Sequence, residues 1–254
     1  MDPLQCAIET ATEAGRLLRE RPALPLEIGE KSTRGDLVTA ADRESEAFIV
    51  ERLRREFPAS SILGEEGAAH RGTSDERWIV DPLDGTTNYA HGYPLYCVSI
   101  GYERGGKMIA GAVYAPVLGE LYAAERGAGA TCNGERIRVS TIENVRDSLL
   151  CTGFMPAKYE RNGANFARLS MVAQAVRRDG SAALDLCFVG RGRFDAFWEL
   201  DLKAWDVAAG SLIVREAGGS TTAVDGSPLV LDAGSILVSN GSLQREMIGL
   251  LAER

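Results

Sequence analysis

Four acidic positions share one local pattern, an apolar run or helix start carrying a carboxylate at its end. In "WIVDPLDGTTNY" (78–89), three apolar residues run into Asp81, and Asp84 follows three residues later. "SILGEEG" (61–67) ends a short apolar run on Glu65, and "WDVAAGSLIVREAGG" (205–219) puts Asp206 at a helix start. "DLVTAAD" (36–42) puts Asp42 just before another helix. Hard divalent ions such as Mg²⁺ prefer carboxylate and carbonyl oxygens. Asp81 can therefore bridge two ions, with Asp84 and the carbonyl of Leu83 filling sites on either side. Pro82 forces an extended backbone at Asp81 and projects its carboxylate past the sheet edge. The Gly-Thr-Thr-Asn that follows reads as a turn opening a short helix, whose free amides suit phosphate. Taken singly, each position also has an ordinary reading: an acidic surface turn, surface charge at Glu65 and Glu66, or a helix cap at Asp42 and Asp206.

The elements that must position these groups follow from periodicity. Residues 3–21 read as a helix with Leu4, Ile8, Ala11 and Leu18 on one face. Residues 42–57 read as another, with Ile49, Leu53 and Phe57 aligned, a solvated "ERLRRE" face and Pro58 as the stop. From 78 to about 139, "RWIVD", "PLYCVSIGYE", "KMIAGAVYAP" and "GELYAAE" read as antiparallel strands joined by glycine-containing turns. Beyond 145, "DSLLCTGF" and "RFDAFWE" read as strands and 160–176 and 181–191 as helices. A helix over 205–217, a strand from 234 and a last helix from 241 complete the chain. The mixture implies a layered α+β or α/β architecture. Nothing linker-like separates 1–140 from 141–254, so a single domain is expected.

Composition narrows the function. The chain has 254 residues and a net charge of −8, which argues against general affinity for nucleic acid or anionic membranes. A phosphate substrate stays open, because bound cations reverse the local sign. No apolar run reaches membrane-spanning length, and the first twenty residues lack a signal-peptide pattern. Five cysteines (6, 97, 132, 151 and 187) without CxxC spacing read as buried, reduced thiols of a cytoplasmic protein.

Taken in order, "EKSTRGDLVTAAD" (30–42), "GEEG" (64–67), "DPLDGTTNY" (81–89), "DGSAALDLCFVGRGRFDAFWE" (179–199) and the 205–219 segment resemble the inositol monophosphatase family. The resemblance spans nearly the whole chain. It implies a five-layer α-β-α-β-α sandwich of the inositol monophosphatase / fructose-1,6-bisphosphatase type. It also implies a Mg²⁺-dependent, lithium-sensitive phosphomonoesterase, homodimeric, acting on a small polyol monophosphate such as inositol 1-monophosphate. Two to three ions are implied per site. Glu65, Asp81 and the Leu83 carbonyl would hold the first, and Asp81, Asp84 and Asp206 the second. A third would sit near Glu65 with mostly water ligands. Thr86 and Asp42 would polarise the attacking water, and the amides of Gly85 and Thr86 would grip phosphate. Gly180, Ser181, Ala182 and Glu199 would face the substrate alcohol, which Asp81 and Asp206 also border.

The residues agree with such chemistry without reference to the family. A phosphate monoester repels hydroxide, and paired cations offset that charge while lowering the pKa of water. Phosphoryl transfer asks the protein mainly for positioning. With only two histidines in the chain, His91 reads as local support rather than as a ligand. "WELDLKAWD" (198–206) departs from the family wording at Asp201, which reads as a solvent-facing turn residue. The superfamily also includes enzymes for fructose 1,6-bisphosphate, histidinol phosphate, nucleotide 3′-phosphates and NADP. Lys203, Arg191 and Arg193, the candidates for a second phosphate, show no obvious clustering. Some bacterial relatives bind transcription machinery, so an interaction role stands as the alternative. For dimer contacts, residues 94–124 and 160–176 are the candidate surfaces.

Overall fold

The computed structural model describes residues 1–21, 29–30, 37–38, 40–67, 69–154 and 159–252. Most of the expected "EKSTRGD" motif, residues 31–36, lies outside the described residues. Helix α1 (Pro3–Glu20) starts where Asp2 accepts a hydrogen bond from Gln5 N at 3.0 Å, with proline at the first helical position. A two-stranded pair, β1 (Gly29–Glu30) and β2 (Leu37–Val38), precedes α2 (Ala40–Glu56).

The large sheet holds β3 (Ser61–Gly64), β4 (Ala69–His70), β5 (Glu76–Asp84), β6 (Cys97–Arg104), β7 (Lys107–Ala115), β8 (Glu120–Glu125), β9 (Gly129–Cys132) and β10 (Glu135–Arg136). Its order is β10-β9-β8-β7-β6-β5-β3-β4, antiparallel except where β3 runs parallel to β5. The short helix α3 (Thr86–Ala90) joins β5 to β6. After β11 (Leu149–Thr152) come α4 (Tyr159–Val172), β12 (Ala175–Arg177), α5 (Ala182–Gly190), β13 (Ala196–Leu200), α6 (Ala204–Glu216), β14 (Ser220–Thr222), β15 (Ser235–Ser239) and α7 (Gln244–Ala252). The five strands here form a mixed sheet in the order β12-β11-β13-β15-β14.

Side-chain alternation stacks these elements. On β5, Trp78 and Val80 enter a core with α1 and α2, whereas Ile79 enters a second core with α5 and α6. On β13, Phe197 joins that second core, while Ala196 and Trp198 join a third with Leu169 of α4 and Met247 of α7. Three cores thus hold five layers together, the second filling both sides of α5/α6: α1/α2, large sheet, α5/α6, small sheet, α4/α7. This is the α-β-α-β-α sandwich that the motifs imply.

Most elements lie where periodicity places them, with informative differences. The expected helix 160–176 stops at Val172, and Ala175–Arg177 instead forms an edge strand parallel to β11. Three residues beside an exposed strand edge gain ladder hydrogen bonds that another helical turn would forgo. Within residues 94–124, strands β6 and β7 contribute to cores on both sides, and the turn after β7 exposes Val117 and Leu118. Helix α4 does expose Met171 (82%) and Val172. All five cysteines are buried and free. Among the described residues, no helix is long and apolar enough to cross a membrane.

Glycines set how near α6 can come to the large sheet. A Cβ at Gly111 would lie 3.0 Å from Ala209 Cα, and one at Gly101 would lie 3.1 Å from Ala208 Cβ. Gly210 makes room for α5 on the same helix, since a Cβ there would stand 2.7 Å from Leu186 Cβ. We expect Gly111→Val to push α6 off the sheet and cost about 1–3 kcal/mol in denaturant unfolding. Unchanged stability in that variant would show that the close contact does not set the spacing.

Candidate active site

Strand register brings the first two acids together. Gly64 on β3 pairs with Val80 on the parallel β5, so Glu65 and Asp81 leave adjacent strands at the same level. Beyond Asp81 the pairing of β5 with β6 shifts register before Asp84. Proline 82 brings no amide hydrogen to that ladder, so the irregularity falls where a regular bond is already missing. Leu83 N donates to Asp81 Oδ1 at 3.0 Å. Gly85 then adopts a left-handed φ of 94°, which lets α3 begin at once. A side chain there would also crowd Leu95 O, 2.9 Å from the added carbon.

One face of α2 secures both strand ends. Thr86 Oγ1 donates to Asp42 Oδ1 at 2.9 Å and also lies 3.1 Å from Leu83 O. Ser45 Oγ donates to Pro82 O at 2.8 Å, and Glu46 Oε1 accepts from Glu66 N at 2.9 Å. The cap expected of Asp42 is corrected: α2 begins at Ala40, and Asp42 lies in its first turn with its carboxylate turned to Thr86. Ser45 and Glu46 escaped the sequence reading. Their signal was the buried stripe of Asp42, Ser45, Glu46, Ile49 and Leu53, a helical spacing in which polar residues occupy the inward face.

Asp84 is held by α5. Its Oδ2 accepts from Ser181 Oγ at 2.8 Å and from Ala183 N at 2.7 Å, with the Cys97 thiol at 3.8 Å. The start of α5 thus receives a carboxylate where its free amides and dipole favour one. Ser181, expected against the substrate alcohol, is itself buried and gives its hydroxyl to Asp84. Gly180 has a left-handed φ of +84° and lies against Asn88, whose Nδ2 donates to Asp179 O at 2.8 Å and Leu95 O at 2.6 Å. Asn88 and Cys97 were therefore also missed, because contacts across about ninety residues leave no local spacing to read.

Asp206 enters from α6, where its Oδ2 accepts from Lys203 N at 2.6 Å. Glu199 enters from the small sheet, on the same face of β13 as Phe197. Parallel pairing of Thr152 with Trp198 puts Gly153 beside Glu199, where an added Cβ would lie 2.3 Å from Oε2. Glu199 is buried, so a surface pair with Lys203 is excluded. Asp201 is exposed with φ of 67°, the turn residue expected. His91, the C-cap of α3, is exposed as well. Arg191 and Arg193 converge, but on the carboxylate of Glu120.

The electrostatics follow from this gathering. Burial raises the Asp81 carboxyl well above its ordinary value, and Glu65, Asp84 and Asp206 push it further. Burial also raises Asp206 strongly, with Glu65 the strongest repelling charge. Asp84 is raised by burial against the opposing pull of its Ser181 and α5 hydrogen bonds. Glu199 is raised by burial and then by Asp206 and Asp84. An all-oxygen donor set around one buried carboxylate, with this much uncompensated repulsion, fits hard divalent cations, whose charge would remove the cost.

A model of the inositol monophosphatase family matches residues 2–254. The chain belongs to the inositol monophosphatase family. Inositol-1-monophosphatase of Synechocystis is 44% identical over 254 residues, 98% of this chain and 88% of that protein. The Nus factor SuhB of Vibrio cholerae is 41% identical over 93% of this chain and 91% of its own length. Among solved structures, the extragenic suppressor protein suhB from Bartonella henselae superposes with a TM-score of 0.94 at 37% identity, covering 98% of both chains. The family is one of metal-dependent phosphatases, in agreement with the carboxylate cluster.

The raised carboxyls carry a sign that can be measured. Above the ordinary aspartate value of 3.8, the folded metal-free protein retains protons that the unfolded chain has released. Its stability therefore falls as pH rises through that window towards the raised values. In chelator, we expect the unfolding midpoint to climb as pH drops from the raised values towards the ordinary aspartate value. Asp81→Asn should stabilise the metal-free protein and flatten this slope. An identical slope in the variant and its parent would remove Asp81 from the cause.

Proposed function

We propose that the chain hydrolyses a small polyol monophosphate, inositol 1-monophosphate first among them, at the cluster built from Glu65, Asp81, Asp84 and Asp206. The carrying observation is that Asp81 is buried where Glu65, Asp84 and Asp206, half-buried and supplied by two strand ends and a helix start, all repel it. Glu65, Asp81 and the Leu83 carbonyl would hold one Mg²⁺, Asp81, Asp84 and Asp206 a second, and Glu65 would border a third. Bound Mg²⁺ supplies the positive charge that shields the phosphoryl oxygens and acidifies water.

The chain's own residues then orient the reactants. Thr86 spends its proton on Asp42, which leaves its oxygen lone pairs free to accept from a water. That contact would aim the water at phosphorus, while the amides of Gly85 and Thr86 donate to phosphate oxygens. Glu199 and the Gly180–Ala182 turn would line the alcohol side, with Glu199 accepting from substrate hydroxyls. Arg191 and Arg193 are engaged by Glu120, which leaves them unsuited to a second phosphate and supports a monophosphate.

Asp81→Asn should lower kcat by several orders of magnitude, since metal assistance contributes several kcal/mol to the transition state. Glu199→Gln should lower kcat/KM for inositol 1-monophosphate about ten- to a hundredfold, and much less for an alkyl phosphate without neighbouring hydroxyls. Phosphate release measured on both substrates decides this, and equal losses would mean that Glu199 does not read the alcohol. We further read the protein as a cytoplasmic homodimer inhibited by lithium at the second ion's place, with exposed Met171 and Val172 supporting an apolar contact. A concentration-independent monomer in sedimentation, or full activity in high lithium at half-saturating Mg²⁺, would count against those two points. The similarity to Nus factor SuhB favours a second reading, binding to transcription machinery. Retention of such binding by Asp81→Asn would separate it from catalysis.

A further inference from the structure

On the far side of the Asp84 network, a second set of donors converges that the phosphatase reaction does not use. Cys151 on β11, Asp179 in the turn before α5, and Asp185 in the first turn of α5 each bring one donor atom within 4.8 Å of the other two. Cys151 is fully buried and Asp185 is 1% exposed, while Asp179 is half-buried and forms the open side. Asp185 Oδ1 is buried without a hydrogen-bond partner among the described residues. An unpaired buried carboxylate oxygen is costly, and buried charged groups otherwise pair or coordinate metal. The frame around the trio is well tied: Asp185 N donates to Ser181 O at 2.9 Å, and Asn88 holds Asp179 O.

We propose that Cys151, Asp179 and Asp185 form a cation site distinct from the carboxylate cluster around Asp81, taking a borderline-soft divalent ion such as Zn²⁺ or Co²⁺. One thiolate with two carboxylates selects such ions over Mg²⁺, which has little affinity for sulfur. Zinc–sulfur and zinc–oxygen bonds of about 2.3 Å and about 2.0–2.2 Å put tetrahedral donors about 3.4–3.7 Å apart. Donors already within 4.8 Å reach that spacing by small side-chain rotations. Water from the Asp179 side completes the fourth position. Without a cation, burial raises the Cys151 thiol, Asp185 is raised by burial and by Asp179, and Asp179 is raised by its own burial. Metal binding displaces the thiol proton. Ser181 and Ala183, which hold Asp84, lie between Asp179 and Asp185 in sequence, so occupancy would pin the turn that positions Asp84.

Titrating the whole protein with Co²⁺ in saturating Mg²⁺ tests the proposal through thiolate-to-cobalt charge-transfer absorption, which Mg²⁺ sites lacking a thiol do not give. The expected result is one equivalent of cobalt with that band, abolished in Cys151→Ser. Asp179→Asn, at a half-buried position, should weaken cobalt binding by about tenfold or more. Cys97→Ser should retain the band, which excludes the thiol beside Asp84. Asp81→Asn should retain it too, so failure of the phosphatase reading leaves this test intact. Absence of a thiolate band at millimolar Co²⁺, or its survival in Cys151→Ser, would overturn the site.

Discussion

Asp81 is buried, Asp84, Asp206 and Glu65 are half-buried around it, and the surrounding structure must withstand their mutual repulsion. Desolvation and like charge both work against such an arrangement. It survives because each carboxylate is fixed by a different element and cannot move away without breaking that element. Asp81 is tied by the Leu83 amide, Asp84 by Ser181 and Ala183, and Asp206 by the Lys203 amide. The stored repulsion is what a divalent cation would release on binding.

The sandwich supplies the stiffness. Cores on both faces of the large sheet keep β5 in place, and the glycine contacts let α6 lie close enough for Asp206 to face Asp81. From the outer layer, α2 reaches the same strand ends with Asp42, Ser45 and Glu46. From the small sheet, Glu199 approaches across Gly153. The site therefore draws on four of the five layers, and no single half of the chain contains it.

Much of this was legible in the chain. Apolar runs ending on acids placed Glu65 and Asp81 at strand ends, because a strand that leaves a core must stop where it becomes polar. The alternation in 78–139 marked the antiparallel strands, since period-two burial is imposed by the pleat itself. What escaped reading was short or distant. The edge strand β12 has three residues and owes its form to the neighbouring β11. Ser45 and Glu46 on α2 show their role only once their partners, Pro82 and Glu66 at the ends of β5 and β3, are in place. The family resemblance implies a substrate contact at Ser181, yet its hydroxyl belongs to Asp84, ninety-seven residues away.

The sequence by itself determined which groups are present and on what local structure each rides. Asp-Pro-x-Asp-Gly-Thr sets an extended carboxylate, a backbone irregularity and a left-handed turn within six residues, all through short-range sterics. Only the tertiary structure decided how those groups act on one another. Burial, register and close helix–sheet contact depend on residues distant in the chain, and they alone turn separate acids into one repelling, cation-demanding cluster. Strand pairing between β3 and β5 set Glu65 beside Asp81, and α6 docking set Asp206 opposite. The strength of a charge–charge interaction depends on separation in space and on the exclusion of water, and neither quantity is written in local sequence.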